Sequence, residues 1–165
     1  MVSLEEKKLL NLAKIVAEMG GAEALRYFRC CELSIESKDR KMFDPVTEAD
    51  LAAENKMRSY IKKIRPDDTI VGEEEENLDG STIFTWSLDP IDGTRAFVCG
   101  IPVWTVLVSV LKNDVPIVGV IYQPFTQELF VGGFGISEYT RFNFSTNMCV
   151  RKCQSVGSAF LSSTF

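Results

Sequence analysis

Apolar residues at Leu9, Leu10, Leu12, Ala13, Ile15, Val16 and Met19 recur at helical spacing and predict a first helix within residues 4–28. Gly20-Gly21 is expected to stop or kink it, with Ala22 to Phe28 continuing it or starting another turn. Residues 32–43 are polar and charged without periodicity and read as a mobile loop. The segment Asp44-Pro45-Val46-Thr47-Glu48-Ala49-Asp50 then opens a second helix. Thr47 is placed to cap it, with Asp50 at the reciprocal position of a capping box. Leu51, Ala52, Met57, Tyr60, Ile61 and Ile64 supply its apolar positions, and Pro66 ends it.

Beyond Pro66 the pattern changes to strands. Thr69-Ile70-Val71 is a short one running into Gly72 and four glutamates, Asp79-Gly80 is a turn, and Ile83 to Leu88 is the next strand. Val103 to Val131 reads as an antiparallel meander: a strand through Val106–Leu111, a hairpin turn at Asn113-Asp114, a return strand over 116–122, and a third strand over 128–131. Gly132-Gly133-Phe134-Gly135 reads as flexible. Helices first and strands later indicate an α/β (α+β) layered sandwich, with N-terminal helices packed on a largely antiparallel sheet. Val156 to Phe165 is apolar, β-prone and uncharged, so the chain is expected to stop in mid-fold.

Composition narrows the function. At 165 residues and 45% hydrophobic, the chain is expected to form one domain with a core that needs no staple. A net charge of −5 argues against a general nucleic-acid binder. No stretch is apolar and long enough to span a bilayer, and no basic leader precedes an apolar run, so neither a membrane span nor a signal peptide is expected. The five cysteines (30, 31, 99, 149 and 153) suggest no disulfide framework, so a reduced, cytoplasmic compartment is expected; Cys149 and Cys153 are read as structural thiols and not as half a zinc site. The chain contains no histidine, which removes every histidine-based triad.

The chemistry must then rest on other groups, and three sets of acids stand where regular structure ends: Glu73-Glu74, Asp89-Pro90-Ile91-Asp92 and Asp50. In the second set the proline stiffens a spacing that can aim both carboxylates at one point, with the Ile91 carbonyl between them. Hard divalent cations such as Mg2+ take this mixture of carboxylate, carbonyl and water. Gly93-Thr94 follows, with backbone amides suited to a phosphate and a hydroxyl suited to placing a water. Together these suggest metal-assisted hydrolysis of a phosphate ester. Each element also has a plainer role: Asp-Pro and Asp-Gly are ordinary turn pairs, Glu73 to Glu76 suits a solvated face, Asp50 suits a helix start, and Arg95 suits an ion pair. It is their joint order that points to chemistry.

In that order the sequence resembles the inositol monophosphatase superfamily of Mg2+-dependent, lithium-sensitive phosphatases. The residues that carry the resemblance are Asp44–Asp50, Gly72-Glu73-Glu74, and the string Trp86-Ser87-Leu88-Asp89-Pro90-Ile91-Asp92-Gly93-Thr94-Arg95-Ala96-Phe97. Arg95-Ala96-Phe97, with Phe43, looks more like the histidinol-phosphatase branch than the inositol branch. The resemblance implies that Glu73, Asp89 and the Ile91 carbonyl hold a first Mg2+, and that Asp89 and Asp92 contribute to a second. It implies that Asp50 and Thr94 orient and activate the water, and that the Gly93 and Thr94 backbone receives the phosphate of a substrate also bordered by Glu73, Ile91 and Asp92. Glu74 lies nearby.

It further implies a homodimer, a small phosphorylated substrate (histidinol phosphate first, inositol monophosphate next), and a second α/β half with a Trp-Asp motif completing the second metal site. No Trp-Asp pair occurs here. The expectation is therefore a truncated or disrupted gene product, or a fragment, of such a phosphatase, with impaired or absent activity. The rival is a non-catalytic remnant, and an acidic Ca2+ module is disfavoured because no EF-hand loop is present.

Overall fold

The structure is a computed structural model that describes residues 2–30, 35–37 and 45–160. Its helices are α1 (Leu4–Leu25), α2 (Glu48–Ile64) and the short α3 (Thr94–Val98). β1 (Ile35–Ser37) and β2 (Pro45–Thr47) pair antiparallel as a separate ribbon. The main sheet has seven strands in sequential order: β3 (Thr69–Gly72), β4 (Phe84–Asp92), β5 (Thr105–Lys112), β6 (Val115–Gln123), β7 (Glu128–Gly133), β8 (Ile136–Arg141) and β9 (Phe144–Asn147). Only the β3–β4 pair is parallel, so the expected largely antiparallel sheet under N-terminal helices is what forms.

Alternation along the strands builds the core. Trp86 and Leu88 of β4, Val106, Val108 and Val110 of β5, Val118 and Val120 of β6, and Leu129 and Val131 of β7 are buried on one face, against Ala13, Val16 and Ala17 of α1 and Ala53, Met57 and Ile61 of α2. The opposite face is open. Across it Ser87, Ser109, Gly119 and Gly132 are successive cross-strand partners, and nothing lies within 4 Å of where either glycine would carry a side chain. This bare row, bordered by Leu107, Ile121 and Phe130, forms a trough of about 460 Å³ that reaches Asp89.

The capping box forms as expected. The Thr47 hydroxyl oxygen accepts the Ala49 N–H at 3.1 Å, and Asp50 Oδ2 accepts the Thr47 N–H at 2.8 Å and its hydroxyl at 2.6 Å. Gly20-Gly21 does not stop α1; both residues lie inside it and are buried. A Cβ on Gly20 would stand 2.5 Å from Met57 Sδ, and one on Gly21 2.6 Å from Pro124 Cγ. The glycines allow close approach of α1 to α2 and the sheet, and tertiary packing outweighs their low helix propensity.

Other expectations need correction. The segment read as a loop over 32–43 contains β1, and the remainder of that range lies outside the described residues, as do Phe43 and Asp44. Gly132 and Gly133 belong to β7, and Phe134-Gly135, both at positive φ, make a tight hairpin turn into β8 and β9, which the polar sequence concealed. Of the apolar terminus, Val156–Ser158 is a 3-10 turn and Val156 and Phe160 are exposed; residues 161–165 lie outside the described part. Asn113-Asp114 turns the β5–β6 hairpin as expected, with both residues at positive φ.

A buried carboxylate ties the start of β4 to the end of α2. Asp68 Oδ2 accepts Trp86 Nε1–H at 2.9 Å and Arg65 Nε–H at 2.7 Å, while Oδ1 accepts the Thr82 hydroxyl at 2.6 Å. Burial raises the Asp68 carboxyl, but the hydrogen bonds from Arg65, Thr82 and Trp86 and the Arg65 charge outweigh it and hold the group below its ordinary value. This contribution is therefore complete above the unfolded value near ~4 and lost as pH falls through the lower folded value. Asp68→Asn is expected to lower the melting temperature at neutral pH and to flatten its decline on acidification, measured by thermal melts from about pH 6 to about pH 2. Gly20→Ala is expected to cost about 1–3 kcal/mol, with the penalty shrinking in a Met57→Ala background, as read by a double-mutant cycle of denaturant melts.

Candidate metal centre

The expected strand ending at Leu88 instead runs on to Asp92, so the acidic motif is the irregular end of β4 and not a loop after it. Asp89 pairs with Leu107 and Asp92 with Thr105, so three steps along β4 face two along β5. In a regular strand, residues three apart point to opposite faces. The bulge restores parity: Leu107 and Thr105 share the open face of the sheet, and so do Asp89 and Asp92. Pro90, lacking an N–H, and Ile91 are buried within the bulge, while Asp92 is exposed and accepts the Thr105 hydroxyl at 3.4 Å.

Glu73 arrives from the other side. Gly72 pairs in parallel with Leu88, so the next residue on each strand is level with its neighbour and Glu73 adjoins Asp89. The two side chains share a hydrogen bond. Burial first, then the charges of Glu73 and Asp92 and that hydrogen bond, push the Asp89 carboxyl up to about 8. Its Oδ1 is buried with no hydrogen-bond partner.

At Gly93 (φ +91°) the chain takes a left-handed conformation and turns into α3. Thr94 Oγ1–H donates to the Ile91 carbonyl at 3.1 Å, which leaves that carbonyl a second lone pair. An aromatic knot fixes α3: Phe97 meets Trp104 edge-on at 4.9 Å between ring centres, and Phe28 lies 5.4 Å from each of them. β2 packs against α3, which brings the capped start of α2, with the buried Asp50, to the same end of the molecule as Thr94.

Glu73, Asp89 and Asp92 are thus brought together, with Ile91, Gly93 and Thr94 contiguous to them. Asp50 Oδ2 accepts from Thr47 in the capping box of α2. Glu74 directs its backbone N–H inward to Glu54, a residue the sequence reading passed over along with Arg58; an acid and a base one helical turn apart read as an exposed pair, yet both are buried. Cys149 and Cys153, read as structural thiols, are free and exposed, as are Cys30 and Cys99, and Cys31 lies outside the described residues.

Among the described residues no three acidic or thiol groups already surround one point at coordinating distance. The donor set nevertheless fits a hard cation. It is all oxygen, it holds a buried carboxylate oxygen with no partner, and its two flanking carboxylates repel Asp89 when nothing neutralises them.

Comparison with known proteins gives the family and the fold. The model of the inositol monophosphatase family matches residues 5–158. The chain is 40% identical over 121 residues to the histidinol-phosphatase of Mycobacterium tuberculosis, covering 72% of this chain and 45% of that protein. It is 35% identical over 134 residues to the fructose-1,6-bisphosphatase/inositol-1-monophosphatase of Aquifex aeolicus, covering 81% and 50%. The crystal structure of the extragenic suppressor protein suhB from Bartonella henselae superposes with a TM-score of 0.75 at 28% identity, over 82% of this chain and 52% of that one. N-terminal helices packed on one face of a largely antiparallel sheet place the chain in the class of layered α/β sandwich folds. The chain belongs to the inositol monophosphatase family. It spans about half the length of the curated relatives it matches. Among the described residues no helix is long and apolar enough to cross a membrane.

The raised Asp89 carboxyl has a measurable consequence. The folded chain keeps the Asp89 proton up to about pH 8, whereas the unfolded chain releases it near ~4. Without a divalent cation, this group's contribution to stability must fall as pH rises between those two values. The difference in denaturant stability between wild type and Asp89→Asn is expected to shift steadily in favour of the variant across that window, and the shift is expected to vanish when a cation is bound.

Proposed function

We propose that the chain carries the metal-binding and water-orienting part of a Mg2+-dependent phosphomonoesterase acting on a small alcohol phosphate. The observation that carries this reading is the buried, partnerless Asp89 Oδ1 between Glu73 and Asp92. In it, Glu73, Asp89 and the Ile91 carbonyl hold one Mg2+, and Asp89 and Asp92 contribute to a second. Bound there, Mg2+ neutralises phosphate charge and acidifies water.

The chain's own residues do the rest. Thr94 Oγ1–H already donates to the Ile91 carbonyl, so its oxygen remains able to accept a hydrogen bond from an attacking water and orient it. Asp50, buried at the start of α2, orients and activates that water together with Thr94. The backbone of Gly93 and Thr94 receives the phosphate, on the family pattern. Attack is direct, without a covalent phosphoenzyme, since no histidine, suitably placed cysteine or acyl-phosphate motif argues otherwise.

Histidinol phosphate is the favoured substrate and inositol monophosphate the next. Support comes from Arg95-Ala96-Phe97 and from the name of the Mycobacterium tuberculosis relative, while the Aquifex aeolicus relative supports the second. The other reading is a module that keeps the metal site without turnover.

The test is phosphate release from each ester across a Mg2+ titration. Mg2+-dependent release is expected, with Asp92→Asn lowering turnover and Mg2+ affinity together, each by roughly tenfold or more. Unchanged turnover in Asp92→Asn sinks that assignment, and folded protein that binds Mg2+ yet releases no phosphate establishes the non-catalytic module.

A further inference from the structure

We propose that Glu54 and Arg58 are a positioning pair that clamps the backbone of residues 74–76 and so sets the Glu73 carboxylate beside Asp89. The proposal rests on the metal-site reading above and deepens it.

The pair is a salt bridge at 2.7 Å with the two side chains 0% and 6% exposed. Its remaining hydrogen-bonding capacity goes to one short segment. Glu54 Oε2 accepts the N–H of Glu74 at 2.9 Å and Oε1 that of Glu75 at 3.1 Å. Arg58 donates to the Glu75 carbonyl at 3.0 Å and to the Glu76 carbonyl at 3.1 Å. Four main-chain groups of three consecutive residues are thus held by two side chains from neighbouring turns of α2. The segment is neither helix nor strand, and its ends join β3 and the Ile70–Leu78 bridge.

Burying two charges costs several kcal/mol per ion before pairing, and a well-packed apolar pair is often as stable or more so. Stability alone therefore gives little reason for Glu54 and Arg58 here. Geometry gives one, because the peptide that Glu54 grips first is the one that follows Glu73. With β3 pairing at Gly72 and the clamp at Glu74, the backbone on both sides of Glu73 is fixed.

Gly72 is part of the device. A Cβ there would fall on the Glu54 carboxylate and on Arg58 Nη2, so the missing side chain makes the room that lets the pair reach the segment. Ligand carboxylates need such outer support, and loss of it typically weakens metal binding 10–100-fold.

The experiment is Mg2+ titration calorimetry on the full chain at about pH 8, paired with amide hydrogen exchange at Glu74 and Glu75. Glu54→Gln removes the charge. Gly72→Ala leaves both charges and displaces them, and it carries the test where Glu54→Gln does not fold. Gly20→Ala, which disturbs the core without touching the segment, controls for lost stability.

The expected result is roughly 10–100-fold weaker Mg2+ binding and faster exchange at Glu74 and Glu75 in Glu54→Gln and Gly72→Ala, with both readouts near wild type in Gly20→Ala. Unchanged Mg2+ affinity in both clamp variants while Glu73→Gln weakens binding overturns the proposal and leaves the metal site standing. Equal weakening in Gly20→Ala also overturns it, since stability would then explain the loss. Wild type that takes up no Mg2+ removes the metal-site reading itself, and the proposal with it.

Discussion

Like charges resist being gathered, and the arrangement at the end of β4 is governed by that constraint. Glu73 and Asp92 both raise the cost of ionising Asp89, and burial raises it further. A fold that holds three carboxylates in reach of one another must rely on interactions that do not involve those carboxylates. Here these are backbone features: the parallel pairing of Gly72 with Leu88, the bulge between Asp89 and Asp92, and the left-handed Gly93. Each fixes where a carboxylate starts without relying on its charge.

β4 carries most of this burden and is secured along its whole length. At its start Trp86 donates to the buried Asp68, in its middle Leu88 enters the core between the helices and β5, and at its end Ile91 is buried within the bulge. The strand thus has an apolar face against α2 and a polar end on the open face. Rigid attachment of the first favours accuracy in the second, because side chains on a packed strand have little room to drift. α3 is held by the Phe28–Phe97–Trp104 cluster, so Thr94 too sits on a packed support.

Much of this could be read from the residues in order. The Thr47–Asp50 capping box, the Asn113-Asp114 hairpin and the alternation in β5 and β6 are local, and local patterns are what a sequence displays most directly. The features that escaped are those in which distant partners decide. Gly20-Gly21 looked like a helix breaker because the Met57 and Pro124 contacts that occupy its space lie elsewhere in the chain. The strand end at Leu88 was misplaced because the proline and the acids look like a turn when the β5 partner is unknown. β8 and β9 carry little apolar periodicity, so polarity masked them. Glu54 and Arg58 were passed over because i,i+4 charge pairs usually face water, and only the crossing of the segment after β3 buries them.

Asp89 also connects the site to the open face of the sheet. It lies at the rim of the trough formed by Ser87, Ser109, Gly119 and Gly132, with one side toward protein and the other toward solvent. Desolvation from one side already dominates its behaviour. Any layer laid over the trough removes further water, raises the cost of leaving the carboxylate charged and alone, and strengthens its attraction for a cation by the same lowering of local dielectric. The charge state of the site and the covering of the bare row of small residues are therefore coupled, because one carboxylate belongs to both.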